Sequence, residues 1–377
     1  MNFYLRFFIR TFVKILFYNM VYTDFFSPKY DFNIASGTVS WKAPSNIALV
    51  KYWGKLEGQI PANPSISFTL TNCYTETSVR FKKLETPTDD FQFTFFFEKE
   101  PKPSFHPKII TFFNRIYEYL PFLKDYHFEI YSENSFPHSS GIASSASAMA
   151  ALSVCLMQIE RQLNPNISES DFWQKASFLA RLGSGSACRS IQGNIVVWGE
   201  HKSIPQSSDL YGIPYPFEIH DVFKNYQDTI LLIDKGQKQV SSSVGHDLMH
   251  NHPFAQKRFE QAHENLNKLI PIFKDGDLNK FIEIVESEAL TLHAMMMTSL
   301  PYFILMKPNT LEVIQRIWKF RQETKTPVCF TLDAGANVHI LYPNSHKNEV
   351  LQFIKDELIA FCENKQYICD QISNSSN

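Results

Sequence analysis

Glycine is scarce in this chain, 13 in 377 residues, and no two cysteines stand in a C-x-x-C pair. Basic and acidic residues nearly cancel, Lys plus Arg 36 against Asp plus Glu 38, for a formal net charge of -2. That balance excludes the global basic field of a nucleic-acid binder, so an anionic ligand must be held by locally placed cations. Without paired-cysteine spacing there is no zinc knuckle or redox dithiol. Cys73, Cys155, Cys188, Cys329, Cys362 and Cys369 read as buried free thiols in a reducing compartment, which points to a cytoplasmic protein. No carboxylate cluster has metal-ligand spacing, so metal ligands stay unassigned. No uninterrupted apolar run is long enough to span a membrane. Met1 to Asn19 is apolar and aromatic but broken by Arg6, Arg10 and Lys14, and it lacks the small-residue cleavage site of a secretory signal. A surface-seeking amphipathic segment is one reading of residues 1–19. We treat them as a leader or an over-extended start, with Met20 opening a more ordinary beginning, and expect no stable membrane insertion. No internal repeat is present, and the only compositionally biased stretch is a short polar tail.

What is present is enough to bury a large interior: 44% hydrophobic residues, with aromatics at 15% carried mainly by 34 Phe and 16 Tyr. The length predicts two compact domains. Ser65 to Thr71, Thr77 to Phe81 and Phe91 to Phe97 are rich in β-branched and aromatic residues and read as three strands, with His127 to Tyr131 as a fourth. Apolar spacing predicts helices over Pro107 to Leu120, Ala143 to Leu163 and Ser170 to Leu182, followed by a buried strand at Ile195 to Trp198. Pro205, Pro214 and Pro216 mark the expected boundary between a first domain, residues 20–215, and a second, residues 216–377. In the second, a strand over Thr229 to Ile233 precedes helices over Pro253 to Ile270, Leu278 to Met297 and Thr310 to Arg321. Short strands at Val328 to Leu332 and Val338 to Tyr342 follow, and a helix over Glu349 to Ile359 is expected to close the fold. The elements are mixed without βαβ regularity, which makes the class α+β.

Four stretches could carry chemistry. Pro137-His-Ser-Ser-Gly141-Ile-Ala143-Ser144-Ser145-Ala146 leads a glycine-containing turn into the start of a small-residue helix. Unpaired N–H groups and serine hydroxyls there suit phosphate oxygens, although a serine N-cap would look the same. Arg181-Leu-Gly183-Ser184-Gly185-Ser186-Ala187-Cys188-Arg189-Ser190 combines glycine-exposed N–H groups, hydroxyls and a forked guanidinium, as a diphosphate or carboxylate requires. The competing reading is a helix C-cap with a solvated arginine. Asn46-Ile-Ala-Leu-Val-Lys51-Tyr52-Trp53-Gly54-Lys55 sets two lysines around an aromatic pair; by itself it suits a strand end with exposed lysines equally well. Leu332-Asp333-Ala-Gly335-Ala-Asn337 places a carboxylate at a strand end among small residues, where it could accept a hydroxyl proton or merely start a turn. His293 and His339 read as core or surface histidines. Taken together, the stretches describe two anion cradles, placed lysines and one carboxylate, a set suited to phosphoryl transfer onto an anionic alcohol.

These residues resemble the diphosphomevalonate decarboxylases of the GHMP kinase superfamily. The match runs in order through APSNIALVKYWGK (Ala43 to Lys55), the P-x3-G-I-A-S-S-A loop (Pro137 to Ala146), GSGSACRS (Gly183 to Ser190) and LDAGAN (Leu332 to Asn337). The resemblance implies a two-domain GHMP kinase fold with the active site in the cleft between the domains. Its N-terminal half would be like ribosomal protein S5 domain 2 and its C-terminal half ferredoxin-like. It also implies the reaction: ATP, with Mg²⁺, phosphorylates the 3-hydroxyl of (R)-5-diphosphomevalonate, and loss of phosphate and carbon dioxide yields isopentenyl diphosphate. Carried over by motif, Asp333 is the carboxylate that orients or deprotonates the hydroxyl, and Arg189 holds the substrate carboxylate. Tyr52, Lys55 and Ser184 belong at the substrate diphosphate, Asn46 and Lys51 line the site, and Ser242 stands near the transferring phosphate. Trp53, Gly54, Gly185, Ser186, Ala187 and Cys188 join the substrate side, and Gly141, Ala143, Ser144 and Ser145 the nucleotide side. Relatives of this kind are commonly homodimers. Two departures bear on the substrate loop: Asn63-Pro64-Ser65-Ile66-Ser67, where a Ser or Asp is usual at the second place, and His246 after Gly245, where many relatives carry Met. The rival readings are a kinase or decarboxylase of a related mevalonate phosphate and a silent ligand-binding regulator on the same fold.

Overall fold

A computed structural model describes residues 23–137, 142–236 and 242–373. The leader at residues 1–19 and Gly141 lie outside the described residues, as do the side chains of residues 242 and 243. The first half is a seven-stranded sheet in the order β4-β3-β5-β2-β6-β7, with β1 also pairing β2. Its strands are β1 (Ser36–Val50), β2 (Ser65–Lys83), β3 (Gln92–Phe97), β4 (Glu100–Pro101), β5 (Tyr126–Asn134), β6 (Ile195–Trp198) and β7 (Ile213–Pro214). Among the described residues, only the β3–β5 pairing is parallel. Three helices go with this sheet, α1 (His106–Ile116), α2 (Ser144–Leu163) and α3 (Glu169–Gly183). The second half holds a four-stranded antiparallel sheet, β11-β8-β10-β9. Its strands are β8 (Gln227–Leu231), β9 (Cys329–Thr331), β10 (Val338–Tyr342) and β11 (Tyr367–Gln371). With it come α4 (Ser242–Asp247), α5 (Ala255–Asp275), α6 (Leu278–Thr298), α7 (Pro308–Thr324) and α8 (Lys347–Phe353). This mixed, two-sheet α+β architecture agrees with the fold expected from the sequence.

The structure corrects three expected elements. Ser65 to Thr71 and Thr77 to Phe81 are one strand, because residues 72–76 contain neither glycine nor proline and stay extended. Along β2, every residue from Ser65 to Leu70 is buried, whereas from Cys73 to Phe81 burial alternates. The first stretch is covered on both faces; the second has one face on the helices and one toward solvent. The helix expected over Glu349 to Ile359 begins at Lys347 and widens after Phe353 into a π-turn through Leu358. It does not close the fold, since β11 follows it and adds to the edge of β8.

Two cores result. Helices α1, α2 and α3 lie over the outer half of the first sheet and enclose Phe113, Phe128, Leu156 and Phe178. The other core belongs to both halves, since Leu49, Ile66 and Phe68 of the first sheet meet Leu266, Phe273 and Phe281 of α5 and α6 and Ile230 of β8. Phe68 stacks on Phe281 at a centroid distance of 6.1 Å. That shared core sets the ends of β1 and β2 against α6, where the chemistry-bearing stretches converge.

Candidate active site

β1 stops pairing at Val50, opposite Ile66, and the chain then carries Lys51 to Lys55 away from the sheet. The Lys51 side chain is 2% exposed, and its Nζ lies 3.0 Å from Asp333 Oδ1, an ion pair between segments 282 residues apart. Burial pushes the Lys51 ammonium below its ordinary range, and the carboxylates of Asp333 and Glu288 pull it back up. Gly54 adopts φ +105, a conformation that favours glycine, and donates its N–H to His246 Nδ1 at 3.0 Å. The His246 ring rests on Tyr52 and Trp53, with centroids at 4.2 and 4.7 Å. Burial, with Lys55 and Arg189 nearby, lowers its pKa to about 3, so the imidazole is neutral and its Nε2 carries the hydrogen. Lys55 reaches Asp247 at 3.4 Å.

The stretch after α3 folds as tight 3-10 turns, Gly185 to Ser190. A Cβ on Gly185 would stand 2.8 Å from the Tyr52 hydroxyl and 2.9 Å from the Trp198 ring, so glycine there admits the aromatic pair. Arg189 is 3% exposed; its Nε donates to Ser67 Oγ at 2.6 Å and its Nη1 to Ser65 Oγ at 2.7 Å. Ser65 and Ser67, which sequence reading placed only in the substrate loop, are thus the braces of Arg189, a role that motif reading missed. The findable signal was the two serines at i and i+2 on one face of β2. Arg181, which opens that stretch at the end of α3, is buried and donates to the carbonyls of Leu210 and Gly58, bracing the loop after Lys55.

Helix α2 starts at Ser144 behind Ala143, whose φ of +44 is left-handed. Ser45 Oγ donates to the Ile142 carbonyl at 2.7 Å, and Thr75 Oγ1 meets Ser147 Oγ at 2.6 Å, so β1 and β2 hold the helix start in place. The first N–H groups of a 20-residue helix lack intrahelical acceptors and point at whatever stands before it.

Asp333 follows β9, and its side chain is 27% exposed. His293 of α6 donates from Nε2 to the Asp333 carbonyl at 3.1 Å, and Gly335 N–H donates to the same oxygen at 2.7 Å. Burial drops the His293 pKa to about 4, so a histidine read as core or surface is a neutral prop for the aspartate. A Cβ on Gly335 would meet nothing within 4 Å, so the approach to Asp333 is open.

One cavity of about 590 Å³ is lined by Lys51, Tyr52, Trp53, Lys55, Ala143, Ser144, Ser145, Ser184, Gly185, Ser186, Arg189 and Asp333, together with His246. Phe95, Phe97 and Phe105 also line it. Asn46, Gly54, Ala187 and Cys188 stand behind that lining. Asn46 Nδ2 ties the turn together by donating to Ser190 Oγ at 2.7 Å and to the Ser186 carbonyl at 3.3 Å. Ala187 packs in the core under α2 and α3, and burial pushes the Cys188 thiol up to about 12. Ser242 begins α4, which also carries His246. Among the described residues no three His, Cys, Asp or Glu side chains form a metal cage.

A cleft between two sheets, with a helix start, a braced guanidinium and a lysine-paired aspartate, is the architecture of a GHMP-type phosphoryl-transfer enzyme. Residues 43–210 match the diphosphomevalonate decarboxylase-like N-terminal domain and residues 229–376 the mevalonate 5-diphosphate decarboxylase C-terminal domain. The crystal structure of mevalonate diphosphate decarboxylase from Staphylococcus aureus is 31% identical with a TM-score of 0.76, covering 90% of this chain and 96% of that one. A structure of MDDEF in complex with MVAPP, AMPPCP and magnesium is 27% identical with a TM-score of 0.75, covering 89% and 96%. Diphosphomevalonate decarboxylase from Candida albicans is 28% identical over 338 residues, 84% of this chain and 87% of that one. The chain belongs to the diphosphomevalonate decarboxylase family.

Proposed function

We propose that this chain decarboxylates (R)-5-diphosphomevalonate to isopentenyl diphosphate at the expense of ATP, with Asp333, Lys51 and Arg189 at the reacting centre. The observation that carries the reading is the Lys51–Asp333 pair facing a cavity that also contains the serine-braced Arg189. Asp333, at the open end of its strand, orients the 3-hydroxyl and accepts its proton as the phosphoryl group arrives. Lys51 stabilises the carboxylate and, beside it, the transferring oxygens. Arg189 has two of its donors on Ser65 and Ser67, which leaves the rest of the fork for the substrate carboxylate. Holding that carboxylate in place directs the next step. The C3–O bond breaks with loss of phosphate, the C1–C2 bond breaks with loss of carbon dioxide, and its electron pair forms the new double bond. Tyr52, Lys55, Ser184 and His246 surround the place left for the diphosphate. Ala143, Ser144 and Ser145 cradle the nucleotide phosphates, and the phenylalanine wall suits the base. The Ser144 and Ser145 hydroxyls and the Asp333 carboxylate would suit Mg²⁺ that arrives on phosphates and keeps its waters. When bound, the ion neutralises charge on the phosphoryl oxygens.

The same reading divides the chain at residues 215 and 216 and makes the enzyme a cytoplasmic homodimer. Six free thiols support the reducing compartment, and no helix among the described residues is long and apolar enough to cross a membrane. One similar protein, from Haloferax volcanii, is a phosphomevalonate decarboxylase, 26% identical over 311 residues. The test is therefore an end-point assay with ATP and, separately, the 5-diphosphate and the 5-monophosphate of mevalonate. Carbon dioxide and isopentenyl diphosphate should appear from the diphosphate. Release from the monophosphate alone, or from neither, would refute the assignment.

A further inference from the structure

Lys51 leaves β1 just where its ladder ends, so its own N–H and C=O have no strand partners. Both are taken by one buried ion pair from the other half of the molecule. The Lys51 N–H donates to Glu288 Oε2 at 2.9 Å, and the Lys51 carbonyl accepts from Arg258 Nη2 at 3.1 Å. Arg258 of α5 and Glu288 of α6 are themselves joined by a fork, Nη1 to Oε1 at 3.0 Å and Nη2 to Oε2 at 2.5 Å, and both side chains are 0% exposed. Asn265 Nδ2 donates to Glu288 Oε1 at 2.7 Å, and Asn63 Nδ2 adds a second donor to the Lys51 carbonyl at 2.9 Å.

We propose that the Arg258–Glu288 pair is a positioning device that sets the Lys51 ammonium against Asp333 across the two halves of the enzyme. The same helix fixes both members, because α6 also carries His293, five residues after Glu288, on the Asp333 carbonyl. At about 1.5 Å of rise per residue, the two grips sit about 7 Å apart along one rigid element. Stability alone does not account for such a pair, since its desolvation offsets much of its attraction and apolar pairs of similar volume commonly serve folding as well. A lysine would not reproduce Arg258, because one ammonium nitrogen lacks the planar fork that engages both Glu288 oxygens while Nη2 also reaches the Lys51 carbonyl.

The inference rests on the reading of Lys51 and Asp333 as the reacting pair, and the experiment separates the two. Lys51→Met, Arg258→Lys, Glu288→Gln and the apolar double variant Arg258→Met with Glu288→Leu are compared for kcat, KM of both substrates, thermal midpoint and pH–rate profile. Glu288→Gln and Arg258→Lys should lower kcat about 10- to 100-fold while moving each KM less than about threefold, as expected of misplacement rather than lost binding. In Glu288→Gln the alkaline limb should move to lower pH. Lys51 then keeps Asp333 as its acidic neighbour but still faces Arg189, Arg258 and the neutral His293. The double variant should stay folded and share the loss of kcat, and it decides the matter if the single variants do not fold. Wild-type kcat and an unmoved alkaline limb in the folded variants would overturn the positioning role while leaving the reading of the site intact, provided Lys51→Met is inactive. Full turnover in Lys51→Met would sink the reading itself.

Discussion

Asp333 presents a carboxylate that is held on one side by Lys51 at 3.0 Å yet keeps 27% of its side-chain surface open to the cavity. That combination suits a group that must meet a substrate hydroxyl and not merely start a turn. Replacing it with Asn keeps the shape and removes the proton acceptor. Turnover should fall about 10²- to 10⁴-fold, while nucleotide affinity measured by calorimetry stays near wild type. Unchanged turnover would remove Asp333 from the chemistry. The aspartate and Arg189 were legible in sequence because their motifs are local. That Ser65 and Ser67 hold the guanidinium, and that Glu288 and Arg258 hold Lys51, was not, because each acts on a partner more than 100 residues away.

Among the elements, β11 (Tyr367–Gln371) shows most clearly why local pattern was insufficient. Its sequence, YICDQ, adjoins a polar tail and has only one fully buried position. That position is Asp370, whose carboxylate accepts the N–H groups of Thr71, Asn72, Cys73 and Gln371 at 2.7 to 3.0 Å. Three successive N–H groups of β2 are satisfied by this one side chain, which ties the last strand of the second sheet to the longest strand of the first. Asp370→Ala would leave one buried and three part-buried N–H groups without this acceptor and should cost about 3 kcal/mol. Urea denaturation should show this as a lower midpoint, and an unshifted midpoint would mean that water or a neighbour replaces the carboxylate. The long helices α2, α5 and α6 were legible because their apolar spacing repeats over many turns. The single β2 was read as two strands because its burial pattern changes where the covering layers change, which no window of sequence reveals.

For the whole molecule, two buried histidines make stability depend on acidity. The folded values of about 3 for His246 and about 4 for His293 lie below the roughly 6.5 of an unfolded chain. Between these values the unfolded state binds more protons, so the contribution is complete above about pH 6.5 and is lost as pH falls toward about 4 for His293 and about 3 for His246, by up to about 1.4 kcal/mol per pH unit for each. Unfolding free energies measured from pH 7 to pH 5 should decline accordingly, and His293→Gln should flatten the slope. A slope identical to wild type in that variant would show that His293 titrates normally in the folded protein. Because His246 lies on the substrate face and His293 under Asp333, acid should also loosen the site early.

The sequence alone determined the class of elements, the glycine-serine turns and the residues of the four motifs, because these depend on local backbone preference and on short spacings of polar groups. Only the tertiary structure decided which of those residues share a cavity, which stand behind its wall, and which distant side chains hold them there. The physical reason is that burial and charge pairing are properties of a place, and the place around Lys51 and Asp333 is assembled from β1, β2, α5, α6 and the end of β9, segments that meet only when the two halves close on their common core.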